Sequence, residues 1–128
     1  DGNQKRAFSD VRFCVDPMER LLYRECLGKP IYNIGSDKSC TINEAAKIVK
    51  SVAKDFGFSP KVEHVEARHE VKEAYCDHRK AIVLLEFRDE TDLRKTVRDM
   101  FTWTLEQEDR EVKQMPYELE KDMYKSWK

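Results

Sequence analysis

A mixed α/β domain is the fold class that this sequence predicts, and three features predict it. Short apolar runs bounded by turn residues alternate along the chain with helix-start signals. Thr41 and Glu44 form a capping box ahead of a stretch whose apolar residues recur at helical spacing. A length of 128 residues with 40% hydrophobic content suffices for one domain with a modest core.

Taken in order, Arg6 to Phe13, "RAFSDVRF", carries Ala7, Phe8, Val11 and Phe13 and reads as a short strand with imperfect alternation. Asp16 as N-cap, Pro17 as the first helical residue and Glu19 as the returning carboxylate predict a helix from Pro17 to Leu27, closed by Gly28. Pro30 to Ile34 is the next strand, and Asn33, Gly35 and Ser36 supply turn chemistry after it. The capping box then opens a helix with Ile42, Ala45, Ala46, Val49, Val52, Ala53 and Phe56 along one face, and Gly57 is its stop. Lys61 to Val65, "KVEHV", reads as a third strand. Asp77 caps a helix reaching Leu85, and a longer helix runs from Asp92 to Glu108 with Leu93, Val97, Met100, Phe101 and Leu105 on one side. Residues 1–108 are thus expected to form the domain. Residues 109–128, charged and broken by Pro116, are expected to be a tail or a short terminal helix, with Trp127 needing a surface to cover it.

Composition narrows the function. Charged residues make up 38% of the chain, yet the formal net charge is only -1, so no basic face recommends nucleic acid as a partner. No apolar run approaches a membrane span and no signal peptide opens the chain. Cys14, Cys26, Cys40 and Cys76 lie far apart with no Cys-x-x-Cys pair, and read as free thiols in a reducing cytoplasm. His64, His69 and His78, even with Cys76 and Asp77, lack the usual metal-ligand spacing and read as scattered structural or surface side chains. The chain begins with Asp1 rather than methionine and enters patterned sequence almost at once, so we expect a piece of something longer.

The stretch "IYNIGSDKSCTINEAAKIV" has the layout by which many proteins set a phosphate on a helix N-terminus. A dinucleotide fingerprint needs several glycines, and "NIGSDKSCT" holds one, so Gly35 reads as a turn residue. Two Tyr-x-x-x-Lys matches, Tyr117/Lys121 and Tyr124/Lys128, fall in the lysine-rich end after a proline and are assigned to chance. Arg6 lies just before a predicted strand and Arg68 after one. A guanidinium there can fork onto phosphate oxygens, but each arginine taken alone reads first as solvated surface charge.

The order of motifs says more than any one of them. "DGNQKRAF", then "PIYNIGSDKSCTINEAAKIV", then "VEARHEVKEAYCDHRKA", then "LRKTVRDMFTW", over residues 2 to 107, resembles the C-terminal part of extended short-chain dehydrogenase/reductases. Within that group it is similar to the NAD-dependent nucleotide-sugar epimerase/dehydratase family, typified by UDP-glucose 4-epimerase. The resemblance implies a small C-terminal domain of short strands and helices, with the Rossmann domain that carries NAD and the catalytic Tyr-x-x-x-Lys pair absent from this chain. NAD would belong to the parent enzyme and not to this piece.

Residue by residue, the resemblance places Arg6 ("QKRAF") and Arg68 ("EARHEV") on the diphosphate of a UDP-sugar, Glu70 near the ribose, and Gln4 in the nucleotide-side loop. "RHEV" is one residue shorter than the family's Arg-Pro-Gly-Asp-Val, and Arg12 and Phe13 stand where relatives often carry two acidic residues. The implied function is to anchor the diphosphate while NAD in the missing domain exchanges hydride with the sugar, either in epimerisation or in dehydration. An apolar face where the Rossmann domain packs is expected on the isolated piece, which would then self-associate as a homo-oligomer. The competing reading is a stand-alone binding or interaction module that kept the fold and lost the NAD chemistry.

Overall fold

The computed structural model describes residues 1–23, 31–66 and 69–111. They form a mixed α/β domain in which four helices surround a small three-stranded sheet. Strand β1 (Lys5–Ala7) is central; β2 (Ser39–Thr41) pairs with it antiparallel and β3 (Glu73–Ala74) parallel, so the sheet order is β2-β1-β3. Arg6 faces Cys40 on one side and Ala74 on the other.

Helix α1 (Val11–Tyr23) starts well before the expected Pro17. Asp10, not Asp16, sets the start: its Oδ1 accepts the Arg12 backbone N–H at 3.0 Å, and its carbonyl accepts Phe13 N–H at 3.1 Å. The segment expected as a strand from Arg6 to Phe13 is therefore strand only at its start and helix at its end. Pro17 lies inside the helix, where its missing N–H costs up to about 3 kcal/mol. Its ring is among the most completely buried side chains, which offsets that cost. The expected continuation to Leu27 and Gly28 falls outside the described residues.

Helix α2 (Ile42–Asp55) follows the sequence closely. Glu44 N–H donates to Thr41 Oγ1 at 3.1 Å and Thr41 N–H donates back to Glu44 Oε2 at 2.7 Å, a complete capping box. Phe56 closes it, and Gly57 takes a left-handed φ of 84° that suits glycine. Helix α3 (Arg79–Leu85) begins where expected, with Asp77 Oδ1 accepting Arg79 N–H at 3.0 Å. Helix α4 (Leu93–Leu105) is capped by Asp92, whose carboxylate accepts Lys95 N–H at 3.0 Å.

Two expected strands are not strands. Residues 31–34 run extended but are held by side chains: Lys80 Nζ donates to Ile31 O at 3.0 Å and Asn33 Nδ2 to Asp77 O at 3.1 Å. Residues 61–65 likewise join no ladder. Pairing falls instead on residues 39–41 and 73–74, which carry no apolar alternation.

The core has two parts. Ala81 and Leu85 of α3 pack with Phe87 against Phe13 and Leu21 of α1 and against Tyr32 and Ile34. Val52 and Ala53 of α2 and Val97 of α4 make the second part, extended by Phe56 stacked on Phe101 at 5.5 Å between centroids. Asp55 receives both Arg94, at 2.8 Å, and Arg98 across the same helix pair. Helix α1 buries Phe13, Pro17 and Leu21 on its inner side, yet Val11, Val15, Met18 and Leu22 form a second apolar stripe that is exposed. Among the described residues no helix is long and apolar enough to cross a membrane.

Candidate functional site

The stretch that looked like a phosphate cradle is already filled by the chain itself. Ser36 N–H donates to Ser9 Oγ at 2.9 Å, and Asp37 N–H donates to Asp89 Oδ2 at 2.9 Å. Ser36 Oγ adds a 2.8 Å bond to the same Asp89 oxygen. Burial works to raise the pKa of Asp89, but hydrogen bonds from Thr91, Ser36 and the Asp37 N–H outweigh it and hold the carboxyl below its ordinary value. At the start of α2, Ile42 N–H donates to Gln4 O at 3.1 Å, Asn43 N–H to Gly2 O at 2.9 Å, and Glu44 N–H to Thr41 Oγ1. The Ser36 and Asp37 N–H groups of the turn and the Ile42, Asn43 and Glu44 N–H groups of the helix start all have protein acceptors, so these residues do not fit a dinucleotide pyrophosphate.

Residues 1–4, which satisfy that helix start, lead into β1 and the real concavity of the molecule. Gly2 is buried with φ 75°, and a Cβ there would sit 2.3 Å from Asn43 Oδ1, so glycine is required for the approach. Asn43 Nδ2 in turn donates to Asp1 O at 2.9 Å. The groove that results encloses about 710 Å³ and is lined by residues 1–4, the first turn of α2, residues 62–66, Glu70, Lys72 and Glu73.

Of the four residues singled out from the sequence, Gln4 and Glu70 line the groove, and Arg6 reaches Glu70 from beside it. Gln4 Nε2 donates to Glu70 Oε2 at 3.4 Å, and Arg6 donates to the same oxygen at 3.3 Å. The other terminal nitrogen of Arg6 donates to Lys5 O at 2.7 Å and Val71 O at 3.0 Å, which fixes the guanidinium across the β1–β3 edge. Lys5 Nζ and Glu73 Oε1 form a further pair 3.2 Å apart. Arg68 lies outside the described residues. The pairing joins positions 4 and 70 across the length of the domain, so the cluster is a product of the fold and not of local sequence.

The groove carries a charge that sequence reading missed. Asp1, Glu63, Glu66, Glu70 and Glu73 line it against Lys72 and His64. Such a wall repels a free anion but accepts hydrogen bonds from hydroxyl groups, while Arg6, gathered in through Glu70, supplies a fixed cation beside Gln4. No signal in residue type alone reveals this, because the acidic residues come from separate segments. His64 lines the groove, but among the described residues no group of three or more His, Cys, Asp or Glu is arranged to hold a metal ion.

A second polar cluster lies at the start of α1. Asp10, 2% exposed, accepts the Arg12 N–H, Arg12 Nε at 2.9 Å, Arg12 Nη2 and Thr96 Oγ1 at 2.7 Å, and its own N–H donates to Thr91 Oγ1 at 3.1 Å. The hydrogen bonds from the Arg12 side chain are the main cause holding its carboxyl well below the usual carboxylate range, against the opposing effect of burial. Arg12 continues to Asp99 of α4 at 2.6 Å. This cluster ties α1 to α4 and leaves no acceptor position open on Asp10.

No family model matches the chain, and no curated protein matches it. Solved structures do. MoeE5 in complex with UDP-glucuronic acid and NAD shares 29% identity and a TM-score of 0.69, over 82% of this chain and 34% of its own. UDP-glucose 4-epimerase with UDP-glucose from Thermotoga maritima matches at 23% identity and a TM-score of 0.67, over 83% of this chain and 34% of its own. UDP-glucuronic acid 4-epimerase from Bacillus cereus, in complex with UDP-glucuronic acid and NAD, matches at 20% identity and a TM-score of 0.68, covering 81% and 34%. The chain spans about a third of the length of the solved structures it matches. Its small mixed α/β domain has the fold of one part of a UDP-sugar epimerase.

Proposed function

We propose that this chain is the C-terminal, substrate-holding part of an NAD-dependent UDP-sugar epimerase, in which Arg6 and Arg68 grip the diphosphate and Gln4 and Glu70 meet the adjoining hydroxyls. The observation that carries this reading is the convergence of Gln4 and Arg6 on one oxygen of Glu70 at the wall of the groove. An arginine beside an acidic, hydroxyl-accepting wall suits a ligand that is anionic in one place and rich in hydroxyls beside it. Charge-assisted bonds to phosphate contribute roughly 1.5–3 kcal/mol each, enough to anchor the nucleotide while the sugar stays freer to turn. The nucleotide-sugar complexes of the structural neighbours support the ligand class.

NAD, bound by the whole enzyme, would supply the hydride chemistry at the sugar. On this reading the cofactor and the catalytic base belong to the remaining part of the enzyme, and the Ser36 and Asp37 N–H groups, already bonded within the chain, support that division. The contribution of this chain is position: it holds the reacting sugar within reach. The exposed stripe Val11, Val15, Met18 and Leu22 of α1 is then where that remaining part packs.

Titration of the complete enzyme with its UDP-sugar tests the assignment. Arg6→Ala and Arg68→Ala are each expected to weaken binding roughly tenfold or more; unchanged affinity in both variants overturns it. One observation favours the alternative of an interaction module without catalysis: Glu70 already neutralises Arg6. On that alternative, removing the Glu70 charge brings no gain in UDP-sugar binding.

A further inference from the structure

Away from the groove, one group of nucleophilic and titratable side chains has no part in the proposed function. His78, at the N-terminal end of α3, is only 4% exposed. Its Nδ1 lies 4.0 Å from Cys76 Sγ, and across the ring its Nε2 lies 2.6 Å from Asp37 Oδ1. Nε2 makes no well-aligned hydrogen bond, which is rare for a buried polar atom. Phe87 packs edge-on against the imidazole, with centroids 5.3 Å apart and planes at 89°, and so fixes the ring plane. Thiol, imidazole and carboxylate therefore stand in the order by which a base, itself oriented by an acid, activates a nucleophile. Cys76 and His78 are neighbours two residues apart between β3 and the head of α3, and the fold brings Asp37 to them from the turn before β2.

We propose that Cys76 is a site of covalent modification by small hydroperoxides, with His78 as its proton acceptor and Asp37 as the positioning carboxylate. The Cys76 S–H proton passes to His78 Nδ1, and the sulfur electron pair attacks the terminal oxygen of the hydroperoxide. The S–O bond forms as the O–O bond breaks, and the departing alkoxide or hydroxide takes the proton from His78. The thiol is oxidised to sulfenic acid and the hydroperoxide is reduced to an alcohol or to water.

Small reagents suit the surroundings. Cys76 is partly buried, and a Cβ on Gly35 would lie 3.4 Å from Cys76 Sγ and 3.5 Å from Ser9 Oγ, so the thiol rests against bare backbone. Cys14 and Cys40 are also partly buried and provide internal controls. Burial is the main cause raising both of their thiols, which suppresses their thiolate forms.

The test exposes the full chain to hydrogen peroxide at neutral pH, traps sulfenic acid with dimedone and reads each cysteine by peptide mass spectrometry. Cys76 is expected to react roughly tenfold faster than Cys14 or Cys40; an equal or slower rate overturns the proposal. His78→Gln is expected to bring Cys76 down to the rate of those controls. The charged groups nearest His78 are Asp37 and the adjacent Asp77. Because His78 is buried, Asp37→Asn is the second variant: the Asp37 side chain is 64% exposed, so the fold is preserved. A roughly threefold slower Cys76 is expected there, and an unchanged rate in folded Asp37→Asn overturns the relay.

Discussion

Arg6 and Arg12 stand close together in the chain, each paired with a carboxylate, and their surroundings assign them opposite tasks. Arg12 meets Asp10, which is 2% exposed and accepts from Arg12 three times and from Thr96 once. Arg6 meets Glu70 through a single 3.3 Å contact, and the Glu70 side chain is 40% exposed on the wall of a groove. A buried carboxylate with all its partners made is a strut, because any replacement ligand would have to match several bonds at once. Glu70, half-exposed and joined to Arg6 by that one contact, exchanges partners at little cost. The lesson is that ion-pair chemistry alone does not distinguish a site from a scaffold; burial and the number of bonds do.

The largest effect expected from breaking this contrast is on stability. Asp10→Ala removes the α1 cap and the link to α4, and we expect a loss of about 3 kcal/mol in urea denaturation. Arg6→Ala, which gives up the Glu70 pair and the bonds to Lys5 O and Val71 O but strands no buried carboxylate, should cost less, about 1–2 kcal/mol. If the two variants destabilise equally, the distinction between strut and site fails.

Acid offers a second way to sharpen it. The folded-state pKa of Asp10 lies below its ordinary value of 3.8, chiefly through the Arg12 hydrogen bonds. Its contribution to stability is then fully present above that ordinary value and is lost as pH falls through the lower, folded-state value. The stability gap between wild type and Asp10→Asn is expected to stay constant from about pH 7 to about pH 5 and to narrow below about pH 4. Urea midpoints measured across that range check the sign, and a gap that widens in acid contradicts it.

How much of this was written in the sequence varies with how local each determinant is. Helix α2 was readable because Thr41 and Glu44 satisfy each other within one turn and Gly57 ends the helix by its own backbone freedom. Helix α1 was misplaced because two aspartates, Asp10 and Asp16, both precede plausible helix starts. Pro17 behind Asp16 looked like a first-turn proline, and only its burial in the assembled core lets it sit mid-helix. The strands were the least readable, since segments of three, three and two residues are too short to show alternation. Gln4, Arg6 and Glu70 were found through the resemblance of motif order and not from their chemistry, and the acidic lining, assembled from distant segments, was not foreseen at all. The Asp10–Arg12 cluster did have a local signal, an acid two residues before an arginine at the head of an apolar-periodic run.

The smallest effect should come from Glu70, and it separates the two functional readings most directly. In the proposed function Arg6 must leave Glu70, at least in part, to meet a phosphate oxygen, so Glu70 competes with the ligand for the same cation. Replacing it with Gln keeps the shape of the side chain and most of its hydrogen-bonding capacity, including that toward ribose hydroxyls, while removing the competing charge. It also takes one negative charge from a groove already lined with Asp1, Glu63, Glu66 and Glu73. Both changes favour an anion, and neither is large at a half-exposed position, where such pairs contribute about 0.2–1 kcal/mol. Glu70→Gln is therefore expected to tighten UDP-sugar binding by the complete enzyme about twofold to fivefold, with the gain fading as salt screens the groove. Tighter binding that disappears when Arg6→Ala is added places both side chains on one ligand. Binding unchanged by Glu70→Gln at low salt leaves Arg6 as scaffold like Arg12, and the interaction-module reading takes over.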